Sequence, residues 1–181
     1  MFSRYWAYAT LEGGHDAMLS LSFSVKSKFL AGTGSYLQDD DGSPNSAGFD
    51  GVTVWEMKRM KVVGIPRQYI SPEENKYKVS TSAWVFFEKT SRHVLLLGGF
   101  CGDITAWYWD NERQHFCHAL PKTTTTQVVS MHVFSPTIAT GRCARVVTAW
   151  RDSSVTLWML MADGEFCKVF TTILDRHLPK T

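Results

Sequence analysis

The chain has few of the features that most site chemistries require, and its cysteines are the first example. The four of them, Cys101, Cys117, Cys143 and Cys167, lie 16, 26 and 24 residues apart, so none has the paired spacing of a cysteine motif. No Asn-x-Ser/Thr acceptor for N-glycosylation occurs. We therefore expect an intracellular protein, cytoplasmic or nuclear, in which each cysteine is a small buried hydrophobic residue.

The chain also lacks a long apolar run and a concentration of positive charge. Its longest apolar stretches, such as HVLLLGGF at 93–100, are far too short to cross a bilayer, and residues 1–10 hold aromatics and an arginine instead of a signal-peptide core. The 19 basic residues nearly balance the 17 acidic ones, and the densest basic group is Lys58, Arg59 and Lys61. We expect neither a membrane nor a nucleic acid as partner.

Motifs that carry catalysis or bind a cofactor are missing as well. The segment GTGS at 32–35 lacks the lysine and the spacing of a phosphate loop, and no Gly-x-Ser-x-Gly elbow, His-Glu-x-x-His helix or paired-carboxylate constellation occurs. In HFCH at 115–118, strand alternation sends His115 and Cys117 to one face and His118 to the other, so three ligands cannot converge on a metal ion. The sequence predicts no enzyme, no cofactor and no metal site.

What the chain does have is apolar material arranged in a repeat. It is 44% hydrophobic and 13% aromatic, which is ample for a packed core in 181 residues. The phrases DGVTVW, GDITAW and SSVTLW end at Trp55, Trp107 and Trp158, with spacings of 52 and 51 residues, and Trp6 stands 49 residues before Trp55. A period near fifty residues indicates stacked supersecondary units, because one such unit cannot bury its apolar faces alone.

Within each period the strand signals come in the same order. An alternating run is followed by a second apolar run, then by the tryptophan phrase, then by one more extended piece. We predict four strands per unit, which is the number in a propeller blade. The predicted segments are 17–24, 28–34, 51–57 and 60–65 in the first unit, 79–87, 93–99, 103–109 and 113–120 in the second, and 127–135, 145–150, 154–160 and 165–174 in the third.

The stretch GGHDAMLSLSFSVKSKFLAGTG, followed later by DGVTVWE, resembles the WD-repeat family, whose units run from a Gly-His pair to a Trp-Asp pair through this strand order. The likeness covers nearly the whole chain. It implies an all-β fold of about three four-stranded antiparallel blades at 1–66, 67–121 and 122–181, in an incomplete ring. The repeats are divergent, because only the first has Gly14-His15 and none ends in a literal Trp-Asp pair.

In this family a turn aspartate, the Gly-His histidine, a strand Ser/Thr and the tryptophan form a hydrogen-bonded set within a blade. The structural repeat positions that the resemblance implies are His15, Ser20, Trp55, Trp107, Asp152 and Trp158. No unit completes the set, since Phe49 and Cys101 stand where the acid belongs and Thr125 stands at the histidine position. We expect apolar packing to compensate, with each of the three tryptophans buried in the third strand of its sheet.

Long loops are predicted at one rim of the blades, from the insertion at 35–49 and the connections at 66–78 and 121–127. Because function concentrates on loops held by a rigid scaffold, and interfaces are enriched in tyrosine, we predict a partner-binding surface there. Its candidate residues are Tyr36, Asp39, Asp40, Asp41, Tyr69 and Tyr77. The aspartates lack the alternate spacing and closing glutamate of a calcium loop, so no metal is expected.

The resemblance implies a protein-binding scaffold or adaptor, whose partners are other proteins or peptides. An alternative is the sensor or regulatory repeat portion of a larger signalling NTPase, whose nucleotide-binding module this chain does not contain. Three blades cannot complete a ring of the usual roughly four to eight. We therefore expect two open blade faces, and with them either a piece of a longer propeller or self-association through those faces.

Overall fold

A computed structural model of the chain describes residues 10–11, 17–35, 51–64, 79–110, 113–119, 126–137, 143–163 and 165–174. Twelve β-strands lie within these ranges, and each overlaps one of the twelve predicted segments. They are β1 (Ala17–Phe23), β2 (Phe29–Ser35), β3 (Gly51–Glu56), β4 (Lys61–Gly64), β5 (Val79–Phe87), β6 (Arg92–Gly99), β7 (Ile104–Asp110), β8 (Arg113–Ala119), β9 (Val128–Phe134), β10 (Cys143–Trp150), β11 (Ser154–Met161) and β12 (Phe166–Ile173).

The strands form three four-stranded antiparallel sheets, in each of which neighbours in sequence are neighbours in space. Sheet 1 has the order β1-β2-β3-β4, sheet 2 the order β5-β6-β7-β8, and sheet 3 the order β9-β10-β11-β12. Consecutive strands pair antiparallel in all three sheets, and most of their connections are short, the longest being the one that joins β2 to β3. The predicted all-β fold of propeller-type blades is confirmed, and the three described sheets do not close into a ring.

Residues with left-handed backbone conformation lie in the turns that separate several strands. Left-handed backbone at Ser91 (φ 51°) and Ser153 (φ 69°) reverses the chain after β5 and β10, and Gly102 (φ 81°) precedes β7. Two single-turn 3-10 helices, Val25–Ser27 and Glu88–Thr90, fill the β1–β2 and β5–β6 turns, and strand alternation does not predict them. In the ranges that the structure describes, no helix has the length and apolar character that crossing a membrane requires.

The seam between sheets 1 and 2 is built from alternate residues of the facing strands, because residues at i and i+2 of a strand share a face. Where the first strands of the two sheets meet, the indole Nε1 of Trp84 donates a 3.0 Å hydrogen bond to the carbonyl of Ser22, and the Ser22 and Ser82 hydroxyls are 2.8 Å apart. The apolar side chains buried in this seam are Phe29, Ala31, Val52 and Val54 of sheet 1 and Trp84, Leu95, Leu97 and Trp107 of sheet 2.

The seam between sheets 2 and 3 uses the opposite face of sheet 2, so that sheet 2 is covered on both sides. The Ser80 hydroxyl links the two sheets by donating to the carbonyl of Gly98 at 3.0 Å and to that of Val128 at 2.5 Å. Buried in this seam are Ala83, Val85, Phe87, Val94, Leu96, Ile104 and Ala106 of sheet 2 and Val128, Met131, Ala144, Val146, Trp150, Trp158, Leu160 and Phe166 of sheet 3.

The three repeat tryptophans occupy the same place in successive sheets. Trp55, Trp107 and Trp158 lie in β3, β7 and β11, the third strand of each sheet, and are 2%, 4% and 1% exposed. Trp107 belongs to the seam between sheets 1 and 2, and Trp158 to the seam between sheets 2 and 3. The prediction of three buried tryptophans in matching strands is confirmed.

A network of threonines and indoles satisfies the buried polar groups of sheet 3. The Trp158 indole donates to the Thr148 hydroxyl at 2.9 Å, and the Trp150 indole donates to the Thr156 hydroxyl at 3.1 Å. The Thr156 hydroxyl also lies 3.0 Å from that of Thr171. Buried polar groups need such partners, and in this sheet threonines supply them.

Candidate interaction surface

The predicted loop-rim residues Tyr36, Asp39, Asp40, Asp41, Tyr69 and Tyr77 lie outside the described residues, as do His15 and Trp6. Their grouping into one binding surface stays a prediction. The same holds for the blade boundaries at 1–66, 67–121 and 122–181, which pass through undescribed segments. Of the surfaces described below, an open blade face was expected from the sequence, whereas the cationic surface of sheet 1 was not.

Besides the three tryptophans, two of the predicted structural positions, Ser20 and Asp152, are described. Ser20 is partly buried in β1, opposite Thr33 of β2. Asp152 lies at the exposed β10–β11 turn, where its Oδ1 accepts hydrogen bonds from the Ser154 hydroxyl (2.6 Å) and backbone N–H (2.9 Å). These bonds to the Ser154 side chain and backbone hold the pKa of the Asp152 carboxyl below its ordinary value, so the carboxylate fixes the turn in its charged form.

The outward face of sheet 3 has apolar side chains at its centre, with His132 and Arg145 beside them, and lacks a covering layer among the described residues. It is the side opposite the seam with sheet 2. Val147, Val155 and Leu157 lie in its centre and are partly exposed, although such side chains in central strands are ordinarily buried. Around them, Phe134, Met159 and Phe170 are exposed by 56%, 37% and 51%. We call these six residues the open face of sheet 3.

Comparison within the molecule shows that this face is unusual. When the sheets are aligned on their tryptophans, Leu157 corresponds to Val54 and Ala106, and its cross-strand partner Val147 corresponds to Ala31 and Leu96. The four counterparts in sheets 1 and 2 are fully buried, because the next sheet covers them. The face that sheets 1 and 2 each bury against the next sheet is therefore partly exposed in sheet 3.

Sheet 1 has an outward face as well, but its state differs from the expectation of two open blade faces. Leu30 and Trp55 in the middle of this face are buried. Leu21 and Phe23 of β1, the first strand of the sheet, are 59% and 58% exposed. An open face is therefore present on sheet 3. On sheet 1 only β1 is exposed, because Trp55 at the centre of this face is shielded from solvent.

At one edge of sheet 1 the β1–β2 and β3–β4 turns lie side by side, joined by a 2.9 Å hydrogen bond from the Met57 N–H to the Lys28 carbonyl. We call the surface formed by residues 24–28 and 57–61 the turn edge of sheet 1. Its exposed cationic side chains are Lys26, Lys28, Lys58, Arg59 and Lys61. The one described carboxylate beside them is Glu56, whose Oε2 lies 3.4 Å from Nε of Arg59.

His93 is a buried titratable group next to this edge. It lies at the start of β6, where its ring makes edge contacts with Phe29 and Trp84 and a tilted contact with Phe86 at 4.6 Å between centroids. Among the described residues, its Nδ1 has no hydrogen-bond partner. Burial, reinforced by the positive charges of Lys28 and Lys26, lowers the pKa of His93 to about 4, so the imidazole is neutral at physiological pH.

A cavity of about 240 Å³ lies between the β5–β6 turn and sheet 3, but it is smaller than the pockets that usually hold cofactors. The Arg92 guanidinium packs beside it, 4.5 Å from the Tyr108 ring, and donates a 2.9 Å hydrogen bond to the Ala162 carbonyl. No cluster of three or more potential metal ligands occurs among the described side chains. The lining residues are Phe87, Glu88, Lys89, Thr90, Pro136, Thr137 and Ala162.

The chain matches no family model and no curated protein, but solved structures resemble it. Sqt1 of Saccharomyces cerevisiae has a TM-score of 0.56 at 13% identity, over 89% of this chain and 36% of that one. The Dos1 propeller has a TM-score of 0.52 at 13% identity, over 88% and 36%. A Bifidobacterium bifidum s17 structure described as an exo-beta-1,3-galactanase has a TM-score of 0.52 at 14% identity, over 87% and 55%.

These similarities support the propeller fold alone, because every identity is low. The chain spans 36% to 55% of the length of these three structures.

Proposed function

We propose that this chain is a protein-binding scaffold of WD-repeat type, built from blades close to 1–66, 67–121 and 122–181. The single observation that carries the proposal is the open face of sheet 3. A contiguous apolar face that stays accessible marks a site of association in a soluble protein. The neighbouring sheets show which kind of surface such a face accommodates.

The partner of the open face is a β-sheet that presents an aromatic side chain, and the two seams within the molecule support this identity. In the first seam Trp107 of sheet 2 packs into the cluster that holds Ala31 and Val54 of sheet 1. In the second, Trp158 of sheet 3 packs into the cluster that holds Leu96 and Ala106 of sheet 2. Val147 and Leu157 stand at the next equivalent positions, so they are suited to receive another blade-like sheet.

Fold alone does not separate a scaffold from an enzyme, since one similar propeller is described as a galactanase. The open face favours the scaffold, because its accessible apolar centre is suited to contact with another protein. Self-association of two copies through this face is one form of the proposed binding. Association with a different protein is the other form.

The test compares three forms of the chain by affinity capture from native lysate and by light scattering: wild type, Val147→Glu, and a form lacking residues 36–48. A buried, unpaired carboxylate costs several kcal/mol, so we expect Val147→Glu to reduce association through the open face by about tenfold or more. If the predicted loop rim also binds, the deletion removes a different set of partners.

The matched control is Val62→Glu, which places the same charge at an exposed valine of β4, on the opposite side of the molecule. This variant should retain the wild-type partners and mass. A concentration-dependent dimer lost in Val147→Glu identifies a second copy as the partner. Identical partners and identical mass for all the forms would contradict the proposal.

A further inference from the structure

The turn edge of sheet 1 holds its cations on an ordered backbone. Three residues other than glycine in these two turns have left-handed φ angles, namely Lys26 (60°), Ser27 (50°) and Met60 (53°). This conformation is unfavourable for a residue with a side chain, and it is sustained only where the surroundings fix it. The buried Ser24 hydroxyl contributes by accepting a 2.8 Å hydrogen bond from the Phe29 N–H. The backbone from which these side chains extend is therefore held in a defined conformation.

Positive charge at this edge is largely uncompensated. Five basic side chains are accompanied by one carboxylate, Glu56. Among the described residues, Lys26, Lys28, Lys58 and Lys61 form no ion pair. After burial, the positive charges of Lys28 and Lys26 both lower the pKa of His93, which indicates that the two charges lie near the seam with sheet 2. Like charges held close together repel one another, so an anionic partner would relieve this repulsion.

Among the turns that the structure describes, the cations are concentrated in sheet 1. The corresponding turns of sheet 2 include Glu88 beside Lys89, and the β11–β12 turn of sheet 3 includes Asp163 and Glu165. A nucleic acid is bound mainly through many phosphate contacts along a continuous basic track. Because the positive surface ends after one blade and acids follow, a long phosphate backbone would meet repulsion at sheet 3.

Exposed apolar side chains lie in and next to the β1–β2 turn. Phe23, the last residue of β1, is 58% exposed, and Val25 in the turn itself is 39% exposed. A surface that mixes cationic and apolar groups fits a polypeptide whose carboxylates alternate with apolar side chains. Electrostatic attraction would orient such a segment, and burial of Phe23 and Val25 would add affinity.

From this juxtaposition we infer that the turn edge of sheet 1 is a docking site for an acidic polypeptide segment that also carries apolar side chains. The site is separate from the open face of sheet 3, so it adds a second binding surface to the molecule. Lys58 and Lys61 attract the carboxylates of the segment, and Phe23 contacts its apolar side chains.

The test measures fluorescence anisotropy with a labelled peptide that alternates glutamate with phenylalanine. A peptide with lysine in place of glutamate, an all-glutamate peptide and a single-stranded RNA of equal length serve as comparison probes. We expect the alternating acidic peptide to bind best, and its affinity to fall by about tenfold or more as salt rises from about 0.05 M to about 0.5 M.

Two pairs of variants locate the site. The double variant Lys58→Glu/Lys61→Glu should weaken peptide binding at least about tenfold. The control is the double variant Lys89→Glu/Lys168→Glu, which reverses two exposed lysines elsewhere and should bind the peptide as wild type does. Phe23→Ser should remove the preference for the alternating peptide over the all-glutamate peptide, and Phe134→Ser should preserve that preference. Circular dichroism verifies that every variant is folded.

Val147→Glu should leave peptide binding unchanged, so failure of this site and failure of the open face are distinguishable. Preference for the RNA, or equal affinity of wild type and the Lys58/Lys61 double variant, would overturn the inference.

Discussion

Replacing Trp158 with alanine should lower the free energy of unfolding by about 3 to 5 kcal/mol, the usual cost of removing a large aromatic side chain from a core. Trp158 is 1% exposed and belongs to the cluster between sheets 2 and 3. Its loss leaves a cavity and also removes the 2.9 Å hydrogen bond to the Thr148 hydroxyl, a buried group that would then lose its donor. Urea denaturation measures the effect.

For a chain of this size, such a loss corresponds to a fall of roughly 10 °C in melting temperature. Met159→Ala is the matched control, because Met159 is the next residue of β11 and points to the opposite, open face. Its truncation should change the stability by less than about 1 kcal/mol. A Trp158→Ala protein with wild-type melting temperature would show that the seam between sheets 2 and 3 is not packed as described.

Acidification should destabilise the protein through His93. The pKa of this histidine is lowered to about 4 in the folded chain by burial and by Lys28 and Lys26, whereas the unfolded chain titrates near 6.5. Between these values the unfolded state binds more protons, so stability rises with pH in this window. The contribution of neutral His93 is complete above about pH 6.5 and is lost as pH falls towards 4, by about 2 to 3 kcal/mol in total.

For each variant we measure how much the unfolding free energy changes between pH 7 and pH 4. These changes are compared between variants, because carboxyl groups titrate over the same range and contribute to every one of them. His93→Phe keeps an aromatic ring against Phe29 and Phe86 but removes the titration, so its stability should depend less on pH than that of wild type. Val129→Phe, at an exposed and non-titrating position of β9, should preserve the wild-type slope. Equal slopes for wild type and His93→Phe would contradict this account.

The sequence allowed the strands and their order to be predicted, because alternation and the tryptophan phrase are local signals. DGVTVW, GDITAW and SSVTLW each became the third strand of a sheet, with the tryptophan buried. The partners of those indoles were less predictable. Trp158 donates to Thr148, whereas Asp152 bonds to Ser154 in the turn. Hydrogen bonds between strands depend on register, which a short phrase does not specify.

The sequence could not show which sheet faces are covered. Val147 and Leu157 follow the same alternation as Ala31 and Val54, yet the first pair is partly exposed and the second is buried. Alternation identifies an apolar face but carries no information about the layer on top of it. The same limit applies to His93, whose environment arises from Phe29 and Trp84 on other strands.

The turn edge of sheet 1 also depends on folded geometry. Lys58, Arg59 and Lys61 stand out in the sequence as the densest basic group, but Lys26 and Lys28 join them only because two turns are adjacent in space. The exposed Phe23 beside them is equally invisible to the sequence, since an aromatic residue at a strand end is ordinarily expected in the core.

The central claim, that the open face of sheet 3 is an unoccupied blade-packing face, is tested most directly by thiol labelling at three equivalent positions. Ala31→Cys, Leu96→Cys and Val147→Cys are made one at a time in a chain whose four natural cysteines are replaced by serine. We predict that the Val147→Cys protein reacts in its native state, at least about tenfold faster than the other two, which react only on unfolding. Equal protection of all three cysteines in the native protein would contradict the account.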